Sequence, residues 1–338
     1  VSLAQRWVSA AYQGSLWLYP LRPLAALYRY VMERRRRAYA SGKKAAWRAS
    51  VPVIVVGNIT LGGTGKSPLV AWLVRWLSEQ GYTPGIITRG YGGKAASYPL
   101  RVTPSTPVTQ SGDEPLMLVQ QTGAAVVADP QRARGVQALV AAGCDIIVSD
   151  DGLQHLALAR DVELAVVDGV RGLGNGQCLP AGPLREPPER LADVDAVLVN
   201  GELRAALEVE TQPMQLAPQC WRALATGQAH ALTPLPFTLP VRGIAGIGRP
   251  ARFFTTLETL GVHGSWHGFA DHHRFTARDL TVHDGQALVM TAKDAVKCQA
   301  LAPPNSWVLD VEAVLPPDFE RWLAARLSAL SCRRHAHG

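Results

Sequence analysis

Three stretches of the chain bring together side chains that can do phosphate chemistry. The first is Val53-Ile-Val-Val-Gly-Asn-Ile-Thr-Leu-Gly-Gly-Thr-Gly-Lys-Ser-Pro68, an apolar run that enters a glycine loop and ends in Gly65-Lys66-Ser67. The backbone amides of such a loop, with the N-terminus of a following helix, can cradle phosphate oxygens. Lys66 can reach the β and γ oxygens and the Ser67 hydroxyl can ligate Mg²⁺. The expected binding loop is Thr60, Leu61, Gly62, Gly63, Thr64, Gly65, Lys66 and Ser67, and the expected ligands are a nucleotide and Mg²⁺. Thr60 stands where the G-x-x-x-x-G-K-[ST] pattern has its first glycine, and Gly62 and Gly63 can supply the flexibility instead. A glycine turn without nucleotide fits less well, because strand, loop, Lys-Ser and helix occur together.

The second stretch is Ile146-Ile-Val-Ser-Asp-Asp-Gly-Leu-Gln-His155, where an apolar strand delivers Asp150 and Asp151 to its C-terminal end. Ligands gather at that edge of a parallel sheet. One or both carboxylates can hold Mg²⁺, directly or through water; the alternative is an Asp-Gly turn with solvated carboxylates. His155 can contact phosphate, order Asp151 or satisfy a backbone group. The third stretch, Gln110-Ser-Gly-Asp-Glu-Pro115, places an acidic pair in a turn that either caps the next helix or serves catalysis. In the catalytic reading Asp113 accepts a proton from an attacking hydroxyl, with an imidazole nearby to orient it. Phe269-Ala-Asp-His-His-Arg-Phe275 can supply that imidazole from the far side of a cleft, although His272 and His273 also read as a metal-binding or surface pair.

The elements around these residues follow an α/β rhythm from Ser50 onward, with short apolar runs separated by glycine-rich turns and helical stretches. Strands are expected at Val51–Val56, Gly85–Thr88, Ala124–Ala128, Asp145–Ser149, Glu163–Val167 and Ala196–Asn200. Most are too apolar for a one-sided sheet, which predicts a doubly wound, mostly parallel sheet between helix layers, of P-loop NTPase type. Residues 231–240 read as a linker. Beyond them Val241–Ile247, Ala287–Thr291 and Val308–Val311 offer strands of a second, smaller α/β lobe spanning 241–330, beside a core at 51–230.

With 338 residues, 47% hydrophobic and 18% charged, the chain is long and apolar enough for about two domains, and disordered, fibrous and disulfide-framework classes fit poorly. Its five cysteines are widely spaced without a CxxC pair, which disfavours a cysteine zinc site and fits a reducing compartment. Residues 1–50 hold ten Lys or Arg against Glu33 alone, whereas the remainder is nearly balanced, so the net charge of +7 is an N-terminal property. There the cations are interleaved with Trp7, Tyr12, Trp17, Tyr19 and Tyr28, ahead of the Arg34–Arg37 run. That pattern suits an amphipathic helical segment on an anionic lipid surface; an ordinary helical hairpin with a solvated basic edge is the alternative. No stretch approaches 18 uncharged apolar residues, and no basic start leads into a clean apolar core, so neither a membrane span nor a secretory signal is expected.

These motifs together resemble the tetraacyldisaccharide 4'-kinase family of lipid A biosynthesis over nearly the whole chain. The resemblance is carried by the loop ending at Pro68, Thr88-Arg-Gly-Tyr-Gly-Gly93, Gly112-Asp-Glu-Pro115, Asp150-Asp-Gly-Leu-Gln-His155, Leu179-Pro-Ala-Gly-Pro-Leu-Arg-Glu186, Phe269-Ala-Asp-His-His273 and Thr291-Ala-Lys-Asp-Ala-Val-Lys297. It implies transfer of the ATP γ-phosphoryl group to the 4' hydroxyl of an acylated glucosamine disaccharide 1-phosphate, by an enzyme peripheral to the cytoplasmic face of the bacterial inner membrane. It further implies phosphate and Mg²⁺ roles for Lys66 and Ser67, a base role for Asp113 assisted by His272, and a metal-associated pair in Asp150 and Asp151. Glu114, His155, Arg171 and Gly172 are implied as polar positions near the cleft. Leu153 and Ala292 stand where many members carry Phe and Glu. No nucleic acid and no obligate protein partner are expected. The rival readings are another P-loop class or a membrane-bound scaffold. Thr291-Ala-Lys-Asp294 is out of register with the N-K-x-D guanine signature, which weakens a GTPase, and no nucleic-acid module accompanies the basic segment.

Overall fold

The computed structural model describes residues 3–204 and 207–335. Helix α1 (Leu3–Gln13), a 3-10 turn at Leu16–Leu21 and α2 (Arg22–Ala40) precede the first strand. The core then runs through β1 (Val53–Gly57), α3 (Lys66–Glu79), β2 (Pro84–Thr88), β3 (Leu100–Val102), the short α4 (Val108–Ser111), α5 (Asp113–Thr122) and β4 (Ala125–Ala128). It continues with α6 (Arg132–Ala141), β5 (Ile146–Asp150), β6 (Val162–Asp168), β7 (Ala196–Asn200), β8 (Gln212–Ala223) and β9 (Ala229–His230). The last third holds β10 (Val241–Ala245), α7 (Pro250–Thr259), β11 (Gly264–Gly268), β12 (Leu288–Thr291), α8 (Ala292–Cys298), β13 (Ser306–Val314) and α9 (Pro317–His335).

Strand β1 explains the layering. All five of its residues are buried, and because side chains alternate along a strand, its two faces enter different cores. Ile54 and Val56 pack in one cluster with Leu69, Leu73 and Leu77 of α3. Val53 and Val55 pack in another with Ile59, Leu153 and Leu158, against which Tyr28 and Trp47 lie. Trp72 and Trp76 of α3 stack at 6.0 Å, and Trp72 meets Phe319 of α9 at 6.1 Å, so α3 is itself covered.

Among the described residues the strands form one mixed sheet in the order β11-β10-β12-β13-β8-β7-β6-β1-β5-β2-β4-β3, with β9 beside β8. Most pairs are parallel; β3 with β4, β13 with β8 and β8 with β9 are antiparallel. The fold is α/β with a mostly parallel sheet, as the apolar runs require. Strand β8 makes that sheet continuous, because Gln212–Met214 pair with β7 while Gln215–Ala223 pair with β13. The strands before and after residues 231–240 thus share one sheet, and β3, β8 and β11 lie in stretches where no strand was expected. The strand expected at Val241–Ile247 ends at Ala245.

The N-terminal segment is helical and docks beside the glycine loop. Trp7 Nε1 donates to the Pro180 carbonyl at 3.2 Å, Tyr12 Oη to that of Leu61 at 2.6 Å, and Tyr28 Oη to that of Arg185 at 3.0 Å. These three aromatics therefore face the protein rather than a lipid surface. Leu16, Trp17, Tyr19, Leu24, Leu27, Tyr30 and Val31 remain exposed.

Candidate active site

The C-terminal ends of the parallel strands converge on one edge. Gly57 ends β1, Asp150 ends β5, Asp168 ends β6 and Asn200 ends β7, the placement expected of a ligand site in an open α/β sheet. A cavity of about 990 Å³ opens there, lined among others by Thr64–Ser67, Glu114, Asp151, His155, Arg185, His272 and Lys293.

The glycine loop is held from both sides. Leu61 N donates to the Pro183 carbonyl at 2.8 Å, and Arg185 N to that of Ile59 at 2.7 Å, while buried Thr60 bridges to Leu184. On the other flank Asn200 Nδ2 donates to the Thr64 carbonyl at 2.9 Å, and Arg252 donates to Asn200 Oδ1 at 2.8 Å. Gly65 has φ 97° and a Cβ there would stand 2.4 Å from Asn200 Nδ2, so this position requires glycine by both conformation and space. Helix α3 begins at Lys66, and Gly62, Gly63 and Ser67 line the cavity beside it. Gly62 lies under Arg171, whose Nη2 donates to the Gly248 carbonyl at 3.2 Å and whose guanidinium covers the Tyr12 ring at 4.9 Å. Gly172 has φ 53° and donates its amide to the Asp168 carbonyl at 2.8 Å. Arg171 and Gly172 thus brace the loop from outside.

The two carboxylates at the end of β5 differ sharply. Asp151 lies 3.5 Å from Lys66 Nζ and 2.9 Å from Arg185 Nη1. Burial pushes its carboxyl up, but Lys66 and then Arg185 outweigh burial and hold it at about 2. Asp150 is 1% exposed, and its Oδ2 accepts from the Thr88 hydroxyl at 3.5 Å. Burial, then the charges of Glu114 and Asp151, push the Asp150 carboxyl well above the ordinary range against Lys66 and Arg132. Arg132 spans the floor, donating to the Ile87 carbonyl at 2.7 Å and to that of Asp150 at 2.8 Å. His155 is brought down to about 4 by burial and by Arg132 and Arg160, so its ring is neutral at pH 7.

Asp113 and His272 meet across the cleft although 159 positions separate them: His272 Nδ1 lies 2.9 Å from Asp113 Oδ2. Asp113 opens α5, where the helix dipole favours an anion, and its Oδ1 accepts the Glu114 amide at 3.0 Å. Gly112 before it has φ 85° and comes so close to the 90–93 loop that a Cβ would stand 2.3 Å from the Tyr91 carbonyl. The Tyr91 ring lies 5.2 Å from the His272 ring. Burial raises the Asp113 carboxyl, but its bond to His272 and the nearby Lys293 hold it below its ordinary value. The same bond raises His272, against burial and Lys293. His273 turns the other way, 4.6 Å over Phe269 and 3.3 Å from Asp279, so the two histidines do not form a pair.

Among the described residues Asp151 (φ 47°) and His272 (φ 59°) are the non-glycine residues with positive φ. Such backbone costs about 1–3 kcal/mol and persists where the surroundings over-determine it. The polar frame also includes residues the sequence reading passed over: Arg132, Asp168, Arg185, Asn200, Arg249 and Lys293. Asp168 and Asn200 had a usable signal, as polar residues closing expected strands. Arg185 and Lys293 lay within quoted motifs without a role.

The family model for tetraacyldisaccharide-1-P 4'-kinase (LpxK) matches residues 17–328. The chain belongs to this family. A tetraacyldisaccharide 4'-kinase from Pseudomonas putida strain W619 is 49% identical over 331 residues, covering 98% of both chains. One from Alkalilimnicola ehrlichii is 51% identical over 310 residues, covering 92% of both. Among solved structures, LpxK from Aquifex aeolicus in complex with ATP superposes with a TM-score of 0.78 at 25% identity, over 92% of this chain and 99% of that one.

Proposed function

We propose that this chain transfers the γ-phosphoryl group of ATP to the 4' hydroxyl of tetraacyldisaccharide 1-phosphate, within a P-loop NTPase-like core. The observation that carries the reading is that His272, which holds Asp113 at 2.9 Å, lines the same cavity as the Lys66-Ser67 loop, within a family of that activity. The segments 51–230 and 241–330 supply the walls of this cleft, since Lys66 and Asp113 come from one and His272 and Lys293 from the other.

The amides at the start of α3 and the Lys66 ammonium hold the triphosphate. Asp113, kept ionised beside His272, orients the sugar hydroxyl and accepts its proton; His272, fixed by Asp113 and Tyr91, keeps the carboxylate aimed. Arg171 and Arg249 tie Asp168 and the 248–249 loop to the phosphate loop, which helps exclude water from the transferred group.

A divalent cation fits the donor set. Asp150 is a buried carboxylate with no ion pair among the described residues, unlike Asp151, and Ser67 and Asp151 both line the cavity. No group of three His, Cys, Asp or Glu among the described residues is arranged to hold a metal alone, so Mg²⁺ would share Ser67 and the Asp150–Asp151 pair with phosphate and water. Bound there, Mg²⁺ would offset charge on the phosphate oxygens.

The exposed Leu16, Trp17, Tyr19, Leu24, Leu27, Tyr30 and Val31 beside Arg34–Arg37 support peripheral attachment to an anionic membrane, which we place at the cytoplasmic face of the inner membrane. No described helix is long and apolar enough to cross a membrane.

The test is label transfer from γ-labelled ATP to tetraacyldisaccharide 1-phosphate in mixed micelles. Label in the acylated disaccharide that is lost in Lys66→Ala supports the reading. No label from folded, nucleotide-binding protein overturns it.

A further inference from the structure

Lys293 sits in the first turn of α8, and its ammonium reaches three carboxylates. It lies 3.1 Å from Glu114, 3.2 Å from Asp271 and 3.9 Å from Asp113, with 15% of its side chain exposed. Glu114 follows Asp113 in the chain and Asp271 precedes His272. One cation therefore holds the neighbour of the carboxylate and the neighbour of the imidazole, on two segments that meet only in the folded molecule.

Helix α8 is fixed firmly enough to aim this side chain. Thr291 caps it by accepting the Asp294 amide at 3.2 Å. Asp294, fully buried, accepts the Gly246 amide at 3.0 Å and pairs with Lys297 at 2.8 Å. Lys297 is turned toward Asp294 and reaches Asp113 only through its longer-range charge, whereas Lys293 is in ion-pair contact with Asp113, Glu114 and Asp271. The other charged groups acting on this cluster are His272 and Lys297, both of which hold the Asp113 carboxyl down, and, behind Glu114 on β5, Asp150.

We infer that Lys293 is a positioning residue for phosphoryl transfer: by gripping Glu114 and Asp271 it sets Asp113 and His272 in register and offsets the repulsion among three carboxylates. The inference rests on Asp113 being the base. Without the cation, Glu114 and Asp271 repel each other and Asp113, and the 2.9 Å contact that aligns the carboxylate loosens. Nothing in this arrangement requires Lys293 to touch ATP.

The test is steady-state kinetics of Lys293→Met and Lys293→Arg in the micelle assay. Removing the cation is expected to lower kcat about 10- to 100-fold with KM for ATP within about twofold, because positioning and not nucleotide binding is lost. The acid limb of the kcat–pH profile is expected to move to higher pH, since Asp113 loses a neighbouring positive charge. Lys293→Arg, which keeps the charge, is expected to recover most of the rate. In an Asp113→Asn background Lys293→Met is expected to cost little more, since it acts through Asp113. Should Lys293→Met not fold, Lys293→Gln, which keeps an N–H donor, carries the same comparison. A folded Lys293→Met or Lys293→Gln enzyme with wild-type kcat and an unmoved acid limb overturns the inference, as does full additivity with Asp113→Asn. Full activity of Asp113→Asn alone overturns instead the base assignment beneath it.

Discussion

Gly248, in the loop after β10, lies against Gly63 of the phosphate loop so closely that a Cβ built on it would stand 2.8 Å from the Gly63 amide nitrogen. The amide that would face a phosphate is therefore backed by the last third of the chain. Replacing Gly248 with Val forces one loop to move. KM for ATP is expected to rise about tenfold or more, because loop amides must sit within a few tenths of an ångström of their ligand. Nucleotide titration of the variant checks this; unchanged ATP affinity would show that the contact is incidental.

The His272–Asp113 bond should make stability depend on pH in a defined direction. His272 is raised above its ordinary value, so its contribution is fully present below about pH 6.5 and is lost as pH rises through the raised folded value. Asp113 is lowered, so its contribution persists above about pH 4 and disappears only in stronger acid. The difference in Tm between wild type and His272→Gln is expected to be larger at pH 6 than at pH 9. An equal difference at both would mean that the imidazolium form adds nothing to the pair.

Leu73 is fully buried in α3, within the cluster that joins that helix to β1. Its truncation to Ala is expected to cost about 2–5 kcal/mol by lost burial and a residual cavity. Urea unfolding measures this directly, and a cost under 1 kcal/mol would contradict the packing described.

How much of this was legible in the residues depends on how local each signal was. The phosphate loop could be read because strand, glycines, Lys66, Ser67 and helix are contiguous. Asp113 and an imidazole from the 269–275 stretch could be paired on chemical grounds, but their contact spans 159 positions, and it was the family resemblance that singled out His272 over His273. Strand β8 was missed because Gln-Pro-Met-Gln-Leu-Ala-Pro-Gln-Cys-Trp-Arg-Ala has two prolines and no apolar run; its residues are mostly half-buried or exposed. Strand β11 was missed because Gly-Ser-Trp-His-Gly is a largely exposed edge strand that pairs, among the described residues, with β10 alone. Among the N-terminal aromatics, composition could not separate Trp7, Tyr12 and Tyr28, which bond inward, from Trp17 and Tyr19, which stay exposed.

Leu24, Leu27 and Val31 recur at helical spacing on the exposed side of α2. Changing all three to Ser is expected to weaken binding to anionic vesicles by roughly fivefold per residue, as each loses about 1 kcal/mol of partial insertion. The fold should be little affected, since surface changes usually stay within about 0.5 kcal/mol. Vesicle flotation decides the matter, and unaltered flotation would remove this face from the membrane contact.

The most direct test of the central claim is the turnover of Asp113→Asn with acylated disaccharide 1-phosphate, measured beside its ATP affinity. Asparagine keeps the shape and can still accept a hydrogen bond from His272, but it cannot take up the hydroxyl proton. The expected result is a kcat lower by about 10²–10⁴ with nucleotide binding retained; turnover near the wild-type rate would remove Asp113 from the base role and with it the mechanism built on the Asp113–His272 pair.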